Sequence, residues 1–199
     1  MGRVALMAGV ALLAAAGGYY AAMYLAGPAP APVSTTAPPS APAELIGQRR
    51  PDFAHRDPAG RIWSAADFDG QPLLLNFWAT WCAPCIEEMP MLSTLQRDLA
   101  ARGLRVVGIA LDDPERAAAF AADLDLAYPV LVGETDVVMT GQRYGNRGGM
   151  LPFTVLVDAQ GIVRWTHLGA LQAADVAARF DALDGTDHTP ANGNVGERR

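Results

Sequence analysis

A chain of 199 residues with a formal net charge of −6 fits one ordinary domain plus extensions, and the acidic balance argues against a general nucleic-acid binder. All 15 basic residues are arginines, and the hydrophobic content of 51% is inflated by abundant Ala and one long N-terminal apolar run. Two cysteines exclude a multi-bridge disulfide scaffold and a four-cysteine zinc site.

Residues 1–27 form the first segment. Val4 to Gly27 carries no charge over 24 residues. At about 1.5 Å per residue that crosses a hydrocarbon core of about 30 Å. Arg3 precedes the run and the next basic residue is Arg49. The positive-inside tendency therefore keeps the N-terminus in the cytoplasm and sends the remainder out. Tyr19, Tyr20 and Tyr24 lie near the far end, where amphipathic rings favour the interface. The competing reading is a cleaved signal peptide, with Ala14-Ala15-Ala16 as small residues for cleavage. Either way the rest of the chain is exported.

Residues 28–50 read as a linker. Pro28 to Ala43 contains only Pro, Ala, Ser, Thr and Val, with six prolines. Such a stretch cannot bury a core and tends to extended polyproline II, which suits a spacer.

The domain is expected over 51–184. Pro51 to His55 begins a short extended piece, Asp57-Pro58-Ala59-Gly60 is a turn signal, and Arg61 to Trp63 returns as a second strand. Ser64 to Asp67 has N-cap chemistry for a short helical turn. Leu73 to Trp78 is apolar except for Asn76, as in a strand buried on both faces. A helix then starts near Cys82, with Pro84 in its first turn, and stops at Gly103; Pro90 should kink it. Leu104 to Leu111 reads as a second buried strand, and Asp112-Asp113-Pro114-Glu115 opens a helix to about Leu124. A short strand from Tyr128 to Val132, a helix from Thr135 to Arg143 and a Gly-rich loop to Leu151 follow. Phe153 to Val157 and Ile162 to His167 form a hairpin around Asp158-Ala159-Gln160-Gly161, and Leu171 to Leu183 is a closing helix. Residues 185–199 have no apolar period and read as a disordered tail. The fold class is α/β, a central mixed sheet with helices on both faces. Trp63, Trp78 and Trp165 are expected in the core, and Arg143 and Arg147 as solvated charges beside the Gly-rich loop.

The chemistry concentrates in Asn76-Phe77-Trp78-Ala79-Thr80-Trp81-Cys82-Ala83-Pro84-Cys85. Thiol–disulfide exchange needs a thiolate within reach of a second thiol. Cys-X-X-Cys at a helix N-terminus meets both needs, because unpaired N–H groups and the helix dipole stabilise the first sulfur as an anion. Cys82 is then the nucleophile and Cys85 the resolving thiol. The same spacing is also half of a zinc site, which would need two more ligands. His188 is in the tail and His55 and His167 fall in distant elements, so no metal is expected. No cofactor is expected either. Glu88, three residues after Cys85, shares its helix face and could exchange a proton with it; geometry alone leaves it equally a surface carboxylate. Glu87 points elsewhere. Asn76 either hydrogen-bonds near the turn or satisfies backbone groups. Residue statistics favour a trans Leu151–Pro152 bond, since cis occurs in about 5–6% of X–Pro bonds.

That ten-residue run, together with Glu88, Pro90 and Leu151-Pro152-Phe153-Thr154-Val155-Leu156-Val157-Asp158, resembles membrane-anchored thioredoxin-like proteins of the TlpA/ResA type. The resemblance covers about residues 51–183. It implies a thioredoxin fold, with an N-terminal hairpin before the core and a helical insert over about residues 113–143. It implies a cis Pro152 facing the two cysteines, and a functional Glu88 in place of the buried Asp that cytoplasmic thioredoxins carry where Asn76 stands. It also implies substrate contacts at Trp81, Ala83, Pro84 and Leu151. Phe153 departs from the Thr that many members carry.

The function implied is an exported thiol–disulfide oxidoreductase on the extracytoplasmic side of a bacterial inner membrane. It would reduce partner disulfides, such as apocytochrome c or the copper-site cysteines of oxidase assembly, with electrons from a membrane thiol transporter. Two other classes compete. A peroxidase of the related redoxin superfamily would place Thr three residues before the reactive cysteine, where this chain has Ala79. A Sco-like copper-binding assembly protein usually needs a three-residue gap between the cysteines plus a distant His; the gap here is two, and His167 is read as an ordinary strand residue.

Overall fold

The computed structural model describes residues 45–184. The N-terminal apolar run, the proline-rich stretch and the tail lie outside the described residues. Among the described residues no helix is long and apolar enough to cross a membrane.

Among the described residues seven strands form one sheet in the order β2-β1-β5-β4-β3-β6-β7. They are β1 (Ala54–Arg56), β2 (Ile62–Ser64), β3 (Leu73–Trp78), β4 (Arg105–Leu111), β5 (Val130–Gly133), β6 (Phe153–Val157) and β7 (Val163–Leu168). The α-helices among the described residues are α1 (Ala83–Leu99), α2 (Pro114–Asp123), α3 (Thr135–Arg143) and α4 (Ala173–Asp184). Strands β3, β4 and β5 run parallel, with β6 antiparallel to β3 and β7 antiparallel to β6.

Every residue of β3 is buried, which is why it reads as one apolar run: both of its faces are covered. The strand's two-residue alternation sorts its side chains between two cores. Leu74 and Trp78 join Met89 and Leu92 of α1, Ala117 of α2 and Val176 and Phe180 of α4. Leu73, Leu75 and Phe77 join Val107, Val137, Tyr144 and Phe153 on the α3 side. Each fully buried large apolar side chain contributes roughly 1.5–3 kcal/mol. Asn76 shares the parity of Leu74 and Trp78, so the sequence aims one amide into the α1 face of an apolar core.

Helix α1 has Cys82 as its N-cap residue and Pro84 in its first turn. It runs unbroken through Pro90, continues as a 3-10 turn over Ala100–Arg102 and closes at Gly103, whose φ of 93° is the left-handed conformation that favours glycine. Helix α2 is capped by Asp113, whose side chain accepts from the Arg116 N–H.

The N-terminal hairpin precedes the core in the chain, as expected, and joins its sheet, with Arg56 of β1 paired antiparallel with Val132 of β5. Two details differ from the sequence reading. Residues 45–50, placed in the linker, pack on the domain: the Gly47 N–H donates to Val163 O, the Val163 N–H to Gln48 O, and Arg49 bridges Ile162. The reason is Arg50, whose buried guanidinium donates to Ala65 O (2.7 Å) and Asp69 Oδ1 (2.6 Å), contacts no composition pattern reveals. Of the three tryptophans assigned to the core only Trp78 is fully buried. Trp63 and Trp165 are half-buried, each with a guanidinium over its ring, from Arg61 and Arg179 respectively.

Candidate active site

Strand β3 delivers the chain to the turn at Ala79–Trp81, and the turn delivers Cys82 to the start of α1. The turn is held from a neighbouring strand. Asp112, just past β4, accepts from both the main-chain N–H (2.8 Å) and the hydroxyl of Thr80 through one carboxylate oxygen. Burial alone would raise the Asp112 pKa, but the Thr80 and Asp113 hydrogen bonds and Arg116 outweigh it and the net shift is downward. Sequence reasoning used Asp112 only as an acidic residue near a helix start. Its role in fixing the cysteine turn has no local signal, since Thr80 is 32 residues away.

Cys82 and Cys85 are joined as a disulfide, with Cα atoms 5.3 Å apart. Cys82 retains 6% of its surface and Cys85 none. The Cys82 carbonyl accepts the N–H groups of Cys85 and Ile86. Of the residues between, Pro84 has no N–H, so Ala83 carries the one backbone donor between the two cysteines. Trp81 is 65% exposed, and Ala83 and Pro84 are exposed with it. These three therefore form the accessible rim of the disulfide.

The Leu151–Pro152 peptide is cis, as the resemblance implied and the general statistics did not. Pro152 is buried and Leu151 half-buried. Phe153, which follows, pairs with Phe77 near the end of β3. The cis bond thus sits at the same end of the sheet as the cysteine turn, and Leu151 packs against the core cluster that contains both cysteines. Two contacts fix this loop. The Gly169 N–H donates to Pro152 O (2.9 Å). The buried Asn146 side chain donates to Met150 O (2.8 Å) and accepts from Met150 N (3.1 Å). Neither Asn146 nor Gly169 was singled out in the sequence, and nothing in their spacing marks them.

Glu88, one turn after Cys85 on α1, is buried, with 3% of its surface exposed. One oxygen accepts from Asn76 Nδ2 (2.7 Å) and the other from the Leu171 N–H (2.7 Å). Asn76 Nδ2 also donates to Thr154 Oγ1 (3.1 Å). Asn76 therefore bonds side chains, not backbone groups. Burial pushes the Glu88 pKa up; the Leu171 and Asn76 hydrogen bonds and the His167 charge oppose this without cancelling it. Around it three buried polar atoms have no hydrogen-bond partner among the described residues: Asn76 Oδ1, Trp78 Nε1 and Tyr128 Oη. The Tyr128 pKa is also raised, by burial first and then by the Glu88 charge. Glu87, by contrast, is exposed.

The histidines separate. His55 is on β1 and buried between Asp136 and Thr140, His167 is on β7, and His188 is outside the described residues. Among the described residues no three His, Cys, Asp or Glu side chains group as metal ligands. Arg143 and Arg147 are exposed, as expected, though Arg143 also donates to Thr140 Oγ1.

A disulfide-forming cysteine pair at the start of α1, with a cis-proline at the same end of a mixed sheet, defines a thiol–disulfide oxidoreductase with a thioredoxin-like fold. Comparison with known proteins gives the same class and adds the lineage: the AhpC/TSA family matches residues 46–166, and the chain belongs to that family. Thioredoxin-like protein YneN of Bacillus subtilis is 32% identical over 139 residues, 68% of this chain and 78% of the relative. The thiol-disulfide oxidoreductase ResA of Geobacillus thermodenitrificans is 30% identical over 142 residues, 71% of this chain and 79% of the relative. The crystal structure of a thiol:disulfide interchange protein of the thioredoxin family from Chlorobium tepidum superposes with a TM-score of 0.61 at 28% identity, covering 68% of this chain and 94% of that one.

Proposed function

We propose that this protein is an exported reductase of partner-protein disulfides. The observation that carries the reading is the unequal burial of the two cysteines at the head of α1: Cys82 keeps 6% of its surface exposed and Cys85 none. In the reduced state the Cys82 thiolate, favoured by the helix N-terminus, attacks a substrate disulfide. One substrate sulfur leaves as a thiolate and takes a proton, and a mixed disulfide to Cys82 remains. Cys85 then loses its proton and attacks the Cys82 sulfur, which releases the second substrate thiol. The substrate gains two electrons and the protein is left with the Cys82–Cys85 disulfide. Glu88 accepts the Cys85 proton in this scheme. A carboxyl whose pKa burial has raised is a better base for a thiol than an ordinary surface carboxylate. Pro152 and Leu151 present backbone to the substrate, with Trp81, Ala83 and Pro84 as the opposite rim.

The charge-free run at Val4–Gly27 and the proline-rich stretch after it support an anchored, extracytoplasmic location. There the two electrons must arrive from a membrane thiol transporter. Partner disulfides of the cytochrome c maturation or oxidase copper-site assembly type fit this place. The peroxidase reading is weakened by Ala79, which supplies no hydroxyl near Cys82. The copper reading is weakened by the two-residue gap and by His167, whose Nε2 contacts the Ala170 carbonyl.

Expression of Cys85→Ser in cells tests the proposal. The variant should accumulate mixed disulfides through Cys82, and the wild-type pair should be mostly reduced at steady state. A wild-type pair held oxidised in cells points to a disulfide-forming oxidant and overturns the reductase direction.

A further inference from the structure

Glu88 is anchored by two elements far apart in sequence, and one of its anchors is itself held. The Leu171 N–H that donates to Glu88 Oε2 (2.7 Å) belongs to the Ala170–Leu171 peptide. The carbonyl of that same peptide, Ala170 O, lies 3.3 Å from His167 Nε2. A carbonyl only accepts, so Nε2 carries the hydrogen there. One peptide plane therefore connects an imidazole donor on its carbonyl side to a carboxylate acceptor on its N–H side.

The sheet register puts the same groups in one row. Asn76 of β3 pairs with Thr154 of β6, and Thr154 pairs with His167 of β7. Directly paired residues project to the same face, so all three side chains lie on the α1 side of the sheet. His167 is half-buried at the edge strand and stacks on Trp165, with ring centroids 5.4 Å apart. It links the buried carboxylate to the solvent boundary.

We propose that His167 is a positioning residue for the disulfide chemistry: it clamps the Ala170–Leu171 peptide onto Glu88 and so sets the orientation and proton affinity of that carboxylate. The inference rests on the reading of Glu88 as the base for Cys85. Donation to the carbonyl polarises the peptide and strengthens its N–H as a donor to the carboxylate. Loss of the clamp loosens the Leu171 N–H and favours the protonated acid. The other ionisable groups around the pair are few. Cys85 shares the helix face of Glu88 but is locked in the disulfide of the oxidised chain; Tyr128 approaches from the segment before β5, and Arg179 of α4 lies 5.8 Å from the Trp165 ring. Thr154 from β6 and the 169–171 segment contribute no charge.

The test is a carbon-detected NMR titration of the Glu88 carboxyl in the full oxidised chain, with the signal assigned by its loss in Glu88→Gln. His167→Ala should raise the Glu88 midpoint by about one unit and move the Leu171 amide proton upfield. His167→Gln keeps a donor for the carbonyl without a charge, so it should restore most of both effects. An unmoved midpoint in His167→Ala overturns the proposal. Equal shifts in His167→Ala and His167→Gln also overturn it, because they assign the effect to charge across space and not to the clamp. Substrate reduction by Glu88→Gln separates the two layers: undiminished turnover there removes Glu88 as the base while leaving the titration result standing.

Discussion

The two faces of the sheet each bury a polar cluster, and the clusters differ in how completely they are paired. On the α3 side His55 Nδ1 bonds Asp136 Oδ2 (2.9 Å), His55 Nε2 bonds Thr140 Oγ1 (3.0 Å), and Arg143 donates to the same hydroxyl (3.0 Å). The Glu134 N–H donates to the other Asp136 oxygen. Each of these groups is satisfied, and the network ties β1 to α3. On the α1 side Glu88, Asn76 and Thr154 are bonded, yet among the described residues Asn76 Oδ1, Trp78 Nε1 and Tyr128 Oη are left without partners; the other such atom, Arg50 Nη1, belongs to neither cluster. Buried unpaired polar groups cost stability and persist where something other than stability retains them. The α3 cluster reads as a fastener and the α1 cluster as the chemical one.

Mutation can separate the two. The largest effect belongs to Cys85→Ser, which removes the intramolecular resolving thiol and should lower disulfide reduction by at least about a thousandfold, measured with a model peptide disulfide. Glu88→Gln comes next, with turnover down by about 100-fold. The same variant should lose no stability at neutral pH. The folded-state pKa of Glu88 is raised, so its contribution to stability is present below the unfolded value near 4.5 and is lost as pH rises through the folded value. The urea midpoint of the wild type should fall across that window, and Glu88→Gln should lack the slope. If activity survives and stability collapses, the α1 cluster is a fastener too.

On the other face the signs invert. His55→Ala leaves Asp136 and Thr140 facing an empty site and should cost about 2–3 kcal/mol in urea denaturation while keeping most of the reductase activity. Asp112→Asn tests the tie to the cysteine turn and should cost roughly 1–2 kcal/mol at neutral pH. The Asp112 pKa is lowered, so its contribution is present above the unfolded value near 3.8 and is lost as pH falls through the folded value; the variant and wild type should converge in strong acid. The smallest effect is at Arg97, whose side chain pairs with Asp125 at 3.2 Å in the open. Arg97→Ala should change stability by no more than about 0.5 kcal/mol.

What the sequence exposed and what it hid divide along contact distance. The buried strands are legible because β3 and β4 are covered on both faces, and apart from Asn76 and the exposed Arg105 they carry apolar residues throughout. The head of α1 is legible because Cys82, Pro84 and Cys85 are local. Asn76 is conspicuous as the one amide in an apolar run, but its partner is not, since only the packing of α1 over β3 brings Glu88 to it. The cis bond before Pro152 came from the resemblance and not from general statistics, because it depends on the tertiary frame built by Asn146 and Gly169. The sequence offers His167 only as the distant His of a copper site, where it reads as an ordinary strand residue. Its meaning comes from a strand pairing and a peptide plane that the chain assembles only on folding.

The order of reactivity of the two thiols tests the central claim most directly. The reduced full chain is treated with limiting iodoacetamide across a pH series, and fragment mass spectrometry locates the first alkylation. The account predicts that Cys82 is modified first, with a half-reaction pH below about 8.5, and that Cys85 stays unmodified until the protein is denatured. First modification at Cys85, or equal modification of both, contradicts it.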